Sequence, residues 1–225
     1  MLPDGSHATR AVNQPEFFNK FSQMGAKKGF VLMSMWGCGG TSIATLKPFK
    51  KLGDLKGRKI RVLATPLERA VIGSLGATGV PIPYSEVLPS LQRKTIDGVR
   101  ISIVVMHPSK FWTVSKNITL TGMAQITCGS FTSTAWLNKL PSDLKKIVMD
   151  VAKASTKHSG KWGHDLTRAA EKNWAGEKGT AVYRLSDAEQ SELIKRVRPI
   201  GDKILGQDPK TKDIYALLKK VAAAT

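Results

Sequence analysis

At 225 residues, with 41% from the apolar set, 23% charged and a mean hydropathy of −0.16, the chain has the composition of an ordinary folded domain or of two small lobes. Its longest apolar stretches, Gly29 to Gly37 and Ile101 to Met106, fall far short of the roughly 18 to 20 residues that a membrane-spanning helix needs. The formal charge of +18, from 35 Lys and Arg against 17 Asp and Glu, excludes an acidic scaffold and predicts a positive field that attracts anions.

The elements follow in chain order. The first ten residues, MLPDGSHATR, carry neither the basic start, the apolar stretch nor the cleavage site of a secretory signal, so no export address is expected in the chain as written. Asn13 and Pro15 open a helix with a Phe17, Phe18, Phe21, Met24 stripe that Gly25 or Gly29 ends. Phe30 to Trp36 is a strand, and GCGGTS at 37 to 42 reads as a tight turn. Its backbone N–H groups could cradle an anion, but it lacks the Gly-Lys-Ser/Thr ending of a nucleotide-binding loop and the plain turn is the favoured reading. Lys59 to Leu63 is a buried strand, Leu67 to Leu75 a helix, and Val80 to Pro83 a short extended piece. Ser85 is the expected cap of a helix reaching Lys94, and Asp97-Gly98 turns the chain into a strand over Val99 to Val104. These units predict an α/β fold with a parallel sheet.

The second half reads differently. Residues 125 to 137 form a long Thr/Ser-rich strand-like run. From Pro141, the residues Leu144, Ile147, Val148, Val151, Ser155, His158, Trp162, Leu166, Ala169 and Trp174 keep close to one helical stripe, which predicts a single helix to about 175, roughly 50 Å long. Gly160 and Gly163 are its candidate kink positions. Ala181 to Leu185 is a strand, Ser186 with Glu189 forms a capping box, and Ile214 to Ala224 is a terminal helix.

Catalytic chemistry has little support. The four histidines are scattered, and His158 and His164 sit about 240° apart around their helix, so they cannot share a metal. Neither HExxH nor GxSxG is present, and no enzyme, metal or cofactor is expected. The cysteines, Cys38 and Cys128, form no CxxC motif, and the sequence leaves their pairing open. Residues 47 to 69 carry eight basic side chains against Asp54 and Glu68, but no polybasic tail or nucleic-acid-binding signature accompanies them. A basic nucleic-acid-associated domain and an uncharacterised enzyme stand as the alternative functions.

One stretch is specific. The motifs DLKG-x-KIRV from Asp54, LGA-x-x-x-P-x-P-Y-SEV-x-x-x-LQ from Leu75, the Asp97-Gly98 turn, and LP-x-DL-x-K from Leu140 come in an order that resembles the solute-binding proteins of TRAP transporters, the DctP family, from about Phe30 onward. The resemblance implies a two-lobed α/β periplasmic-binding-protein-like fold with a long lobe-spanning helix. It also implies a monomer that closes on a small carboxylate-containing organic acid and delivers it to the membrane subunits of a sodium-driven transporter. The family's periplasmic location follows with it, and no specific nucleic acid. Members ordinarily carry about a third more chain at the amino terminus, so the expectation is an incomplete first lobe over 1–40 and impaired binding. A second lobe over 41–124, a return strand and bridging helix over 125–175, and packing elements over 176–225 complete the expected organisation.

In that family the Arg of KIRV pairs with the substrate carboxylate, and here it is Arg61. A guanidinium fork matches both carboxylate oxygens, and an Arg on a buried strand needs such a partner. Tyr84 resembles the aromatic that packs on the ligand, with a core role as its alternative. After the Asp97-Gly98 turn many members read Gln-Glu-Asn-Pro with a ligand-contacting Asn; this chain has Arg100 and Ile101 instead, and their side chains point to opposite faces of a strand. Thr41 stands where some members carry a second Arg. Trp36 either walls the same cleft or fills the core. A ligand less polar than a dicarboxylate or sugar acid would suit these departures, with a dicarboxylate as the open alternative.

Overall fold

The computed structural model describes residues 4–225, without the side chains at 157 and 160–164. The chain divides into two compact units, Met1–Gly39 with Gln125–Leu166 and Pro209–Thr225, and Gly40–Ala124 with Thr167–Asp208. Three elements contribute residues to both: strand β1 (Phe30–Thr45), strand β5 (Asn117–Ser133) and helix α7 (Ser142–Gly176). No helix among the described residues is long and apolar enough to cross a membrane.

In the first unit, α1 (Gly5–Val12) is an eight-residue helix that the sequence pattern does not reveal, since only Ala8, Ala11 and Val12 give it a buried side. Asp4 caps it, accepting from the His7 N–H at 2.7 Å. Helix α2 (Pro15–Ala26) starts with Pro at its first turn as expected, buries Phe17 and stacks it on Phe21 at 6.0 Å. Helix α9 (Lys212–Ala224) adds Val221 to the core formed by Ala11, Val12, Phe17, Leu32 and Met35. Each large side chain fully buried there stabilises by about 1.5 to 3 kcal/mol.

The expected tight turn at 37–42 is instead the middle of the sixteen-residue β1. The glycines serve close packing. A Cβ on Gly37 would sit 2.3 Å from the Gly5 carbonyl oxygen, so the start of α1 lies directly on the strand backbone. Thr9 of that helix accepts from the Gly37 N–H at 2.8 Å. Cys38 is joined to Cys128 by a disulfide with Cα atoms 6.1 Å apart, which answers the pairing that the sequence leaves open. The run expected over 125 to 137 also differs: β5 begins at Asn117 and ends at Ser133, whose hydroxyl caps α6 (Thr134–Lys139).

The second unit holds β2 (Lys59–Val62), α3 (Pro66–Ser74), β3 (Thr78–Pro81), α4 (Tyr84–Gln92), β4 (Gly98–Ser102), α5 (Ile103–Met106), β6 (Ala181–Arg184) and α8 (Asp187–Ile204). The six strands are ordered β3-β2-β4-β1-β5-β6. β2 is parallel to β3 and β4, with α3 and α4 as the crossovers that parallel neighbours require. β1 runs antiparallel to β4, so the sheet is mixed rather than parallel throughout. Ile43, Ile60, Val62, Ile72, Leu75 and Leu193 pack one face with α3 and α8. Ala44, Val87, Leu91, Val99, Ile103 and Trp174 pack the other with α4, α5 and the end of α7.

Three caps differ from expectation. α4 begins at Tyr84 after Pro83, so Ser85 is inside the helix and no side chain caps it. Strand β4 stops at Ser102, whose hydroxyl accepts from the Val104 N–H and turns Ile103 and Val104 into helix. Ser186 caps α8 by accepting from the Glu189 N–H at 3.3 Å, but the Glu189 carboxylate accepts from the Leu52 N–H at 2.6 Å, leaving half a capping box. The long helix is present as read, 35 residues from Ser142; Gly160, Trp162, Gly163 and His164 lie outside the residues whose side chains are described.

Candidate functional site

The strand KIRV alternates strictly. Ile60 and Val62 fill the α3 face, so Arg61 between them projects to the α4 face, where it is only 3% exposed. Its Nε donates to the Ile82 carbonyl at 2.9 Å, while its buried Nη1 has no hydrogen-bond partner. Burial pushes the guanidinium pKa down from its ordinary value, opposed by the nearby Glu68 and Tyr84. An arginine stays charged regardless, so the group is a buried cation with an open donor. Burying a charge with part of its hydrogen bonding unmet costs several kcal/mol.

The register fixes the neighbours of Arg61. It lies opposite Val99 of β4, which in turn lies opposite Ala44 of β1, so Val99, Ala44 and the half-buried Ile101 share the arginine's face. This is the carboxyl end of three parallel strands, where open α/β sheets place ligand crevices. Tyr84 stands at the start of α4, 41% exposed, packed on Phe111 with ring centroids 5.7 Å apart; its hydroxyl is hydrogen-bonded to Ser109.

Arg100 lies opposite Ile43 and faces the α3 side. It is 5% exposed, ion-paired through Nη1 with Glu68 of α3, and its Nε contacts Met123 Sδ at 3.3 Å. Glu68 is the residue that sequence reading missed. Its signal was present: Thr65 caps α3 by accepting from the Glu68 N–H, which puts this acid in the first turn beyond β2, and a buried strand arginine requires an acid.

Thr41 is buried and lies opposite Ser102. It lines a 330 Å³ cavity within the second unit, together with Ser42, Thr121, Glu171, Arg184 and Gln190, and its Oγ1 has no partner. Arg61, Tyr84 and Ile101 are not among the residues lining that cavity; the chemistry of Arg61, rather than cavity volume, marks the candidate site. Trp36 belongs to the first unit and is half-buried there. Among the described residues no group of three His, Cys, Asp or Glu side chains is placed to hold a metal ion.

Comparison with known proteins gives these geometries a context. A family model described as bacterial extracellular solute-binding protein, family 7 (DctP), matches residues 1–208, so the match begins well before Phe30. The ectoine-binding periplasmic protein TeaA of Halomonas elongata is 26% identical over 198 residues, 88% of this chain and 57% of that protein. A TRAP periplasmic solute-binding protein from Shewanella oneidensis, solved with bound succinate, superposes with a TM-score of 0.86 at 24% identity over 97% of this chain and 71% of that one. Another, from Xanthobacter autotrophicus with bound β-D-galacturonate, also gives 0.86, at 22% identity over 99% and 72%. The chain thus spans little more than half the length of the curated relative.

Proposed function

The chain belongs to the DctP family of bacterial extracellular solute-binding proteins, family 7, and from that premise we propose that it is the solute-binding subunit of a TRAP-type transporter, taking an organic acid by its carboxylate. Members of this family are binding proteins of transporters, not enzymes. The observation that carries the reading is the buried, unpartnered Nη1 of Arg61. A carboxylate presents two oxygens to the planar guanidinium, and such charge-assisted bonds are roughly twice as strong as neutral ones. Succinate in the Shewanella protein and galacturonate in the Xanthobacter protein are both carboxylates, which supports the same chemistry here. Delivery to membrane subunits, sodium-driven uptake, a periplasmic location and a monomeric state belong to the same proposal.

Tyr84 is assigned to the ligand's approach, since it is exposed at the start of α4. Ile101 contributes an apolar wall on the arginine's face. Arg100 acts through Glu68, and Thr41 and Trp36 shape the surroundings within their own units.

Calorimetric titration with a panel of organic acids tests the anchor. Arg61→Ala is expected to weaken whichever acid binds by about 2 to 5 kcal/mol, the cost of removing one partner of a buried charged pair. Arg61→Lys should lose much of the same affinity, because the fork is gone. Unchanged affinity in Arg61→Ala overturns the assignment.

A further inference from the structure

We propose that the Arg61 site selects a monoanion, a ligand with one carboxylate and an uncharged, largely apolar body. This rests on the reading of Arg61 as the ligand anchor and adds the substrate class. The argument is one of charge. Among the described residues the charged side chains in the buried class are two arginines, Arg61 and Arg100. One acid, Glu68, answers them: it pairs with Arg100 and its field also reaches Arg61. Two buried positive charges and one negative leave a surplus of one, located at the guanidinium with the open donor.

One ligand carboxylate closes that balance. A second carboxylate on the same ligand would meet two costs. Glu68, already within electrostatic reach of Arg61, repels it. Of the residues that share the arginine's face in the adjoining strands, Val99 and Ala44 are sealed in the core and only Ile101 is half-buried; that face offers a second carboxylate neither charge nor hydrogen bond, so its desolvation there goes uncompensated. An alkyl body gains from contact with Ile101.

Calorimetry on the full chain with probes of matched length decides the matter: pentanoate, glutarate, the monomethyl ester of glutarate, and pentanamide. Pentanoate and the monoester are expected to bind at least about tenfold more tightly than glutarate, with pentanamide weaker than pentanoate by a similar factor or more. Glutarate binding as tightly as its monoester overturns the monoanion proposal and leaves the anchor standing. Pentanamide equalling pentanoate, or no binding by any of the acids, overturns the anchor reading and this proposal with it. Glu68→Gln, which keeps an oxygen acceptor for Arg100 but removes the negative charge, raises the surplus to two. It is expected to shift the glutarate-to-pentanoate affinity ratio by about tenfold toward glutarate, and an unchanged ratio in a folded variant refutes the charge balance. The wild-type comparison of glutarate with its monoester carries the test if that variant does not fold.

Discussion

Arg61 and Arg100 differ in fate because of one residue of offset in adjoining strands. Arg61 faces α4 with an open Nη1, whereas Arg100 faces α3 and is engaged by Glu68. The two therefore respond differently to mutation. Removing Glu68 by Glu68→Ala leaves Arg100 buried without its acid and is expected to destabilise the fold by about 3 kcal/mol in urea denaturation. Replacing both, Glu68→Leu with Arg100→Met, should recover most of that loss, because a well-packed apolar pair avoids the desolvation cost altogether. A double variant as unstable as the single one would refute the pairing as the cause. Asp54 supplies a pH effect of opposite origin. Its carboxylate accepts from the Lys50 and Lys51 N–H groups at 2.8 and 3.1 Å, and the first of these bonds chiefly holds its pKa below the usual aspartate value. A depressed acid stabilises the fold above its unfolded pKa, and that contribution is lost as pH falls through the lower folded value. Asp54→Asn should therefore flatten the dependence of stability on pH below about 4, with little change in slope near neutrality. An unaltered acid limb in thermal melts would contradict it.

Among the elements, β1 shows how a glycine-rich run can be strand. Gly37 has no room for a Cβ against Gly5, so Gly37→Ala must push α1 off the strand and should cost about 1 to 3 kcal/mol. A Gly37→Ala protein with an unchanged denaturation midpoint would mean that α1 is displaced without penalty. The Cys38–Cys128 disulfide ties the same strand to β5 across 90 residues of sequence. In the loop-entropy account that closure is worth about 4 to 5 kcal/mol, so reduction, or Cys38→Ser with Cys128→Ser, is expected to lower the urea midpoint substantially. Equal midpoints in the presence and absence of reductant would show the bond to be stabilising little.

For the whole molecule, the charge of +18 sets the long-range behaviour. It raises the local concentration of anionic solutes around every site and also draws polyanions. The sequence carries no nucleic-acid-binding signature, so DNA binding is expected to be weak, indifferent to sequence and removed by raising salt toward physiological strength, as counterion release requires. A sequence-selective footprint that persists at physiological salt would bring back the nucleic-acid alternative. The α/β class, the two compact units and the 35-residue α7 all belong to this scale, and their mixed sheet departs from the parallel one expected because β1 pairs with β4 in the antiparallel sense.

Much of this was determined by sequence alone. Local signals are periodic or steric within a few residues, so the span of α7, the Pro start of α2, the motif order that marks the family and the buried strand KIRV with its Arg61 were all legible, although the α7 stripe is not buried throughout, Leu144, Ile147 and Val151 being exposed. The alternation of KIRV even implied that the arginine faces away from Ile60 and Val62. What only the tertiary structure decided depends on partners distant in sequence. Glycines at 37–42 look like a turn until α1 is seen lying on them, the Cys38–Cys128 bond needs two strands brought side by side, and the Glu189 carboxylate leaves its capping box for the Leu52 N–H. Arg100 became a structural cation rather than an open one because Glu68, 32 residues earlier, reaches it across the end of the sheet. A hydrogen bond or ion pair of that kind is chosen by proximity in the fold, and proximity across the fold is the quantity that a linear pattern of residue types does not carry.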